Sequence, residues 1–211
     1  MTDEQVTAFA DPGMQQAASL LLDGQHGAAI DAARRSGGLD SMSGNERTLL
    51  LIAIGNNDQA GVRALLAAGA NPNIPTKKAP IAAAAERADS GIVADLLNAR
   101  ANPDGKVGSE AALWRAAVRS NFEIADLLIK HGAKIDAVNA EGETPALAAT
   151  QAAKYGMAVY LLQHGASPFA KSLDGNTLAE WATEGKMHPE TEEGRARVQL
   201  YAMLRQAGAM Q

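Results

Sequence analysis

The residues most able to do chemistry are four histidines: His26, His131, His164 and His188. His131 and His164 sit in the matching stretches LIKHGAKID and LLQHGASPF. In a repeating chain that spacing sets them on adjacent outer helices, where two imidazoles could hold a metal or a small ligand. Equally, histidine near a helix C-terminus is favoured as a partial cation by the macrodipole. No carboxylate or third ligand joins the pair at suitable spacing, so the His131/His164 site is carried only as an alternative. Glu192 and Glu193 lie close to His188 and suggest acid–base work. Adjacent residues on a loop are not preorganised, and a solvated loop also accounts for them. There is no GxxxxGK[ST], no GxGxxG after a strand and no local serine–histidine motif. No enzyme, cofactor or metal is expected.

The composition agrees. Of 211 residues, 46% are apolar, 20% charged and 4% aromatic, with a formal charge of −5. An acidic balance argues against a general nucleic-acid binder, which needs a basic surface. The absence of cysteine removes disulfides, thiolate nucleophiles and cysteine zinc sites. The start, MTDEQVTAFADPG, lacks the basic and apolar regions of a signal peptide, and the run Leu49–Ile54 is too short to span a bilayer. The expectation is a cytoplasmic protein, or a periplasmic one if a leader was trimmed, with no membrane partner. The alanine- and arginine-rich, cysteine-free composition reads as bacterial.

The elements that position these residues recur. LLAAGANPN begins at Leu65, LLNARANPD at Leu96, LIKHGAKID at Leu128 and LLQHGASPF at Leu161, a period of 31 to 33 residues. That is the period of a stacked helical repeat. In NAEGETPALAATQAAKYGMAVYLLQHGASP, Gly142 suits a tight turn, Thr144 can cap a helix and Pro145 suits its first position. Ala146–Ala153 reads as a small-residue helix, broken at Tyr155-Gly156. A second helix is predicted over Met157–Gln163, ended by Gly165. Such short helices are marginal alone and must be stabilised by stacking on neighbours.

These motifs resemble the ankyrin repeat over about Gln16–Ala209: GETPALAAT with LLQHGASP, RTLLLIAIGNN with LLAAGANPN, KAPIAAAAERA with LLNARANPD, EAALWRAAVRS with LIKHGAKID, and GNTLAEWATEG. The resemblance implies an all-α ankyrin-repeat solenoid of about six stacked helix pairs with hairpin-like turns. A tail over 1–13 would precede one array over 14–211. That array would comprise a degenerate capping pair at 14–40 and repeats near 44–73, 74–104, 106–136, 139–169 and 172–211, the last with an insertion at 185–195. Three departures matter. Leu51, Ala82, Trp114, Leu147 and Glu180 replace the family's TPLH histidine, so its hydrogen bonds must be replaced or lost. Arg100 stands where glycine is expected, at a cost of about 1 kcal/mol if left-handed, so that helix end is expected to close differently. The insertion is expected to be a loop between two helices.

Ankyrin arrays bind other proteins through turn tips and the exposed face of the first helices. Carried onto this chain, the resemblance implies partner contacts at Arg47, Thr76, Lys78, Glu86, Arg87, Glu110, Trp114, Arg119, Glu141, Glu143, Asp174 and Asn176. Tryptophan is an interface anchor elsewhere, although core packing also explains Trp114 and Trp181. The early positions are basic or mixed and the later ones acidic, which favours one docking direction. The expected function is a non-catalytic protein-binding scaffold, a monomer by itself. The alternatives are an immunity protein that neutralises a cognate bacterial toxin by occlusion, a host-directed effector, a self-associating array, or the histidine site.

Overall fold

Several helix starts in this chain are set by a capping residue whose side chain satisfies a free N–H group of the first turn. Thr48 (φ −104°, ψ 167°) accepts the N–H of Leu51, and Thr144 (φ −75°, ψ 161°) that of Leu147. Asp58, Asp89 and Asn121 do the same for Gly61, Ile92 and Ile124. Thr177 closes a reciprocal box with Glu180: Glu180 Oε2 accepts the Thr177 N–H at 2.8 Å, and Thr177 Oγ1 accepts the Glu180 N–H at 3.2 Å. Glu180 occupies the missing-histidine position of its repeat and supplies hydrogen bonds there itself.

A computed structural model describes residues 2–184 and 190–210. The helices among them are α1 (Thr2–Thr7), α2 (Pro12–Leu22), α3 (His26–Arg35), α4 (Leu49–Gly55), α5 (Gln59–Ala67), α6 (Pro80–Glu86), α7 (Ser90–Asn98), α8 (Ala112–Val118), α9 (Phe122–Lys130), α10 (Pro145–Gln151), α11 (Tyr155–Gln163), α12 (Leu178–Glu184) and α13 (Glu192–Gln206). Two-residue strands occur at β1 (Lys106–Val107) and β2 (Glu110–Ala111). From α2 onward the helices form six successive pairs, so the fold is the all-α repeat architecture expected. The stretch read as a tail carries α1 and the start of α2. No helix of the described residues is long and apolar enough to cross a membrane.

The chain divides into two compact units, Met1–Gly108 and Ser109–Gln211. In the first, α2, α4 and α6 stack in one layer and α3, α5 and α7 in another. In the second, α8, α10 and α12 stack, and α11 packs on α10 and α13. The first helices α4, α6 and α8 contain no exposed residue. Every residue from Pro145 to Thr150 is buried, and alanine predominates because neighbouring backbones approach closely. Thr150 Oγ1 is satisfied by donating to the Ala146 carbonyl at 2.8 Å. The second helices bury one stripe, such as Ile92, Val93, Leu96 and Leu97 in α7.

Left-handed residues make the reversals. Between the two helices of the first five pairs stand Gly24 (φ 74°), Asn57 (58°), Ala88 (60°), Ser120 (55°) and Ala153 (56°). The break predicted at Tyr155-Gly156 therefore falls earlier, at Ala152–Lys154. Both Tyr155 and Gly156 belong to the first turn of α11, because Ala153 takes the conformation that reverses the chain. After the second helices, Gly69 (98°), Gly132 (85°) and Gly165 (98°) close the end, and so does Arg100 (65°). Its N–H donates to Leu97 and that of Ala101 to Leu96, as Gly69 and Ala70 donate to Leu66 and Leu65. The expectation of a different closure is thus corrected: the two carbonyl partners hold Arg100 left-handed against its preference.

A polar ladder joins successive repeats. Asp40 Oδ1 accepts the N–H of Asn71, Asn73 Oδ1 that of Asn102, and the Asp136 carboxylate that of Ser167. Phe169 holds the corresponding place in the next copy, where the ladder ends. Residues 185–189 of the expected insertion, with His188, lie outside the described residues. The part from Glu192 to Arg195 is not loop but the first turn of α13, capped by Thr191 through the Gly194 N–H.

Two substitutions check this account. Arg100→Gly is expected to raise unfolding stability by about 0.5–1 kcal/mol by relieving the left-handed cost. Leu161→Ala, at a fully buried position of α11, is expected to lower it by about 2–5 kcal/mol through the cavity it leaves. Urea denaturation followed by circular dichroism reads both.

Candidate partner-binding surface

The loops that lead into the first helices carry most of the expected contact residues, and three of them share one construction. Ser43, Asn139 and Ser172 each donate their backbone N–H to the carbonyl four residues on, at Arg47, Glu143 and Asn176. Each side chain then accepts the returning N–H: Ser43 Oγ from Arg47 at 3.0 Å, Asn139 Oδ1 from Glu143 at 2.8 Å, and Ser172 Oγ from Asn176 at 3.2 Å. A left-handed residue at Glu46, Gly142 or Gly175 completes the turn. Because the backbone is satisfied internally, the residues just before the helix cap are relieved of structural work.

In these three turns the residues are Arg47, Glu143 and Asn176, and the matching positions of the other two loops are Lys78 and Glu110. Arg47 and Lys78 are exposed. Thr76 Oγ1 donates to the Lys78 carbonyl at 2.6 Å and so shapes its loop. Lys78 Nζ lies 3.7 Å from Glu86, and Arg87, next along, is exposed. Glu110 pairs with Arg115 at 2.7 Å and Glu143 accepts from Asn139 Nδ2 at 2.9 Å, so both carboxylates are engaged inside the second unit. Glu141, Asp174 and Arg119 are exposed, and Asn176 is half-buried. Beside Glu141 and Asp174, Leu173 is 79% exposed while its N–H holds the Glu141 carbonyl. Trp114 is half-buried, with its indole Nε1 buried and without an acceptor among the described residues.

The tips of the first unit are therefore mainly cationic, at Arg47, Lys77 and Lys78, and those of the second anionic, at Glu110, Glu141, Glu143 and Asp174. Lys77 is partly neutralised. Its Nζ lies 2.9 Å from Glu46 Oε1, and its N–H donates to Oε2 at 3.1 Å. These two bonds, the side-chain one first, hold the Glu46 carboxyl below its usual range.

Three histidines, His26, His131 and His164, make local hydrogen bonds. His131 and His164 end α9 and α11, and each donates from Nδ1 to the carbonyl four residues back, Leu127 and Tyr160, at 2.8 Å. His164 also stacks on Tyr160, whose hydroxyl donates to Asp126. Burial, reinforced by the Asp126 charge, raises the Tyr160 pKa, while Lys130 at 2.6 Å lowers that of Asp126. His26 Nε2 donates to Asp58 at 2.9 Å. No group of three or more potential metal ligands occurs among the described residues. Glu193 accepts the Gly156 N–H at 2.9 Å, tying α13 to the start of α11.

Two of the expected contacts, Thr76 and Lys78, also line a hollow that the repeat pattern does not predict. Loops 72–79 and 102–108 of the first unit flank an open hollow of about 720 Å³, lined in part by Ile74, Pro75, Ile81, Val107 and Lys106. The sequence signal was present in spacing. Capping threonines follow the left-handed glycine by 12 residues at Gly132–Thr144 and Gly165–Thr177, but Ala79 follows Gly69 by only 10.

A sequence model of ankyrin repeats in three copies matches residues 81–172, and a single-repeat model matches residues 45–77. Together they span more than half of the chain. The chain belongs to the ankyrin-repeat family. Ankyrin repeats mediate binding to other proteins, and both matches lie within α4–α11 and their tips. The pairs outside them are the atypical ones, α2 with α3 and α12 with the 15-residue α13. Human Ankyrin repeat and SOCS box protein 16 is similar at 37% identity over 67 residues, which is 32% of this chain and 15% of that protein. The matched segment thus spans a small part of that relative's length.

The Glu46–Lys77 contact yields a pH prediction. Because the folded pKa is depressed, its contribution to stability is present above the ordinary glutamate range and is lost as pH falls through the folded value. An NMR titration should find Glu46 protonating below ordinary glutamate, and Lys77→Ala should return it towards the ordinary value.

Proposed function

We propose that this ankyrin-repeat protein is a non-catalytic scaffold that recognises a partner protein through its turn tips and the adjacent ends of its first helices. The observation that carries the reading is the separation of tasks at the tips. Ser43, Asn139 and Ser172 satisfy the turns with their own side chains, while charged residues at recurring places stand exposed: Arg47, Lys78, Glu141 and Asp174. Exposed charges placed in register steer and orient an encounter more than they stabilise a fold. The tips of the first unit suit an acidic surface, and those of the second unit a basic one. Glu110, Glu143 and Trp114 contribute through positioning, since the first two are bonded locally and the indole is half-buried. The histidines support helix ends in this reading, with Nδ1 of His131 and His164 committed to backbone carbonyls.

Affinity capture from the source cell's lysate tests this, with wild type compared against Arg47→Glu/Lys78→Glu/Asp174→Lys. All three positions are exposed, so the variant is expected to melt within a few degrees of wild type, as surface changes usually do. A protein retained by wild type and lost by the folded variant is the expected outcome. Identical capture by both would remove the tips from the binding surface.

A further inference from the structure

Loops 72–79 and 102–108 differ in length and composition. Ten residues separate left-handed Gly69 from its helix cap Ala79, as they do Gly38 from Thr48, against eleven from Arg100 to Ala111 in the neighbouring loop. The shorter course runs through Pro72 and Pro75, which fix two backbone angles and withhold two N–H donors. The fuller loop beside it packs tightly at its base: a Cβ on Gly105 would meet Ile81 and Ala79. The Ala79 N–H donates to the Lys106 carbonyl at 2.8 Å, and Lys78 bridges to Val107. These bonds hold the two loops side by side at one edge and leave the 720 Å³ hollow beside them.

Its chemistry is asymmetric. The floor is apolar, from Ile74, Pro75, Ile81 and Val107, and three lysines, Lys77, Lys78 and Lys106, belong to the lining, which includes no carboxylate. Glu46 offsets Lys77 from outside it, and Glu86 stands at 3.7 Å from Lys78. Lys106 is exposed and has no ion pair among the described residues. The Asn73 amide that faces the same space is already used, accepting from Asn102 and donating to the Arg100 carbonyl. What the hollow leaves unsatisfied is therefore apolar surface and cationic charge. The volume lies in the range of ordinary binding pockets and can take one large aliphatic or aromatic side chain with its flanking backbone.

We infer that the hollow between loops 72–79 and 102–108 receives an acidic linear segment of the partner protein, with an apolar side chain in the hollow and flanking Asp or Glu residues at Lys106 and Lys78. This rests on the proposed scaffold role and gives it a specific anchor in the first unit. An apolar anchor supplies the desolvation, and the carboxylates fix register and exclude basic segments.

Selection of short random peptides displayed against the intact chain tests the anchor directly. The expected result is enrichment of peptides in which Leu, Ile, Val, Met or Phe is flanked by Asp or Glu. Fluorescence anisotropy on synthesised winners should give ~10-fold or greater loss of affinity on Lys106→Glu, further loss on Lys78→Glu/Lys106→Glu, and weakening with added salt. Lys106→Gln, which only removes charge, is the companion should the reversal disturb folding, and is expected to show a smaller loss in the same direction. In NMR spectra of the labelled chain, amides of 76–79 and 105–108 should shift. The inference is overturned if no acidic peptide is enriched, if folded variants bind as wild type does, or if the shifts fall elsewhere. A peptide of Asp and Glu alone that binds equally well would also overturn it, because surface charge and not the hollow would be read. Enriched basic peptides that shift the tips at Glu141 and Asp174 would remove this anchor and leave the scaffold reading standing. Loss of lysate capture by Arg47→Glu/Asp174→Lys, which leaves Lys78 and Lys106 intact, with no loss by Lys106→Glu, would likewise remove the anchor and leave the scaffold reading standing.

Discussion

Close stacking of short helices is the constraint on which everything else in this protein depends. Helices α4, α6, α8 and α10 have seven residues each, too few to persist alone in water. They persist because neighbours cover them on nearly every side. That coverage requires small residues, hence the alanines of α6 and α10. It also requires the loops to return the chain to the same height, hence one left-handed residue between the helices of each of the first five pairs and another after each second helix. Arg100 demonstrates the force of this requirement: the stack imposes the conformation even where the side chain disfavours it.

Given that geometry, the polar groups divide into two sets. One set is consumed in holding repeats together and shaping turns: the Asp40, Asn73 and Asp136 ladder, Asn139 within its turn, Thr177 with Glu180, and Glu193 on α11. The other set is left at the tips with its charge available. The division explains how a repeat protein can change its recognition surface without losing its fold. Contact residues sit on backbone whose hydrogen bonds are already made, so substituting them removes little structural energy. It also explains why several acidic tip residues are less available than their position suggests. Glu110 and Glu143 face a local cation or amide and are drawn into the scaffold.

Particular residues set how far the sequence could be read. The paired leucines and the glycines at 69, 132 and 165 fixed the register of the second helices, because burial and left-handed backbone each demand few residue types. The break in the 139–169 repeat was misplaced by a few residues because alanine at 153 carries no sign of a left-handed conformation, whereas Gly156 advertises flexibility that α11 does not use. The start of α13 was hidden for a related reason. Glu192 and Glu193 read equally well as loop or first helical turn, and the contact with Gly156 that decides between them is 37 residues distant.

The sequence alone determined the repeat, the helical class, the net charge and the sign of charge at each tip, since these follow from periodicity and composition. Only the tertiary structure decided which charges remain available and where two loops fail to fill the space between them. Availability depends on partners brought together by folding, such as Arg115 for Glu110 and Glu46 for Lys77. The hollow beside Lys106 depends on the different reach of two loops about thirty residues apart, a property of neither segment read by itself.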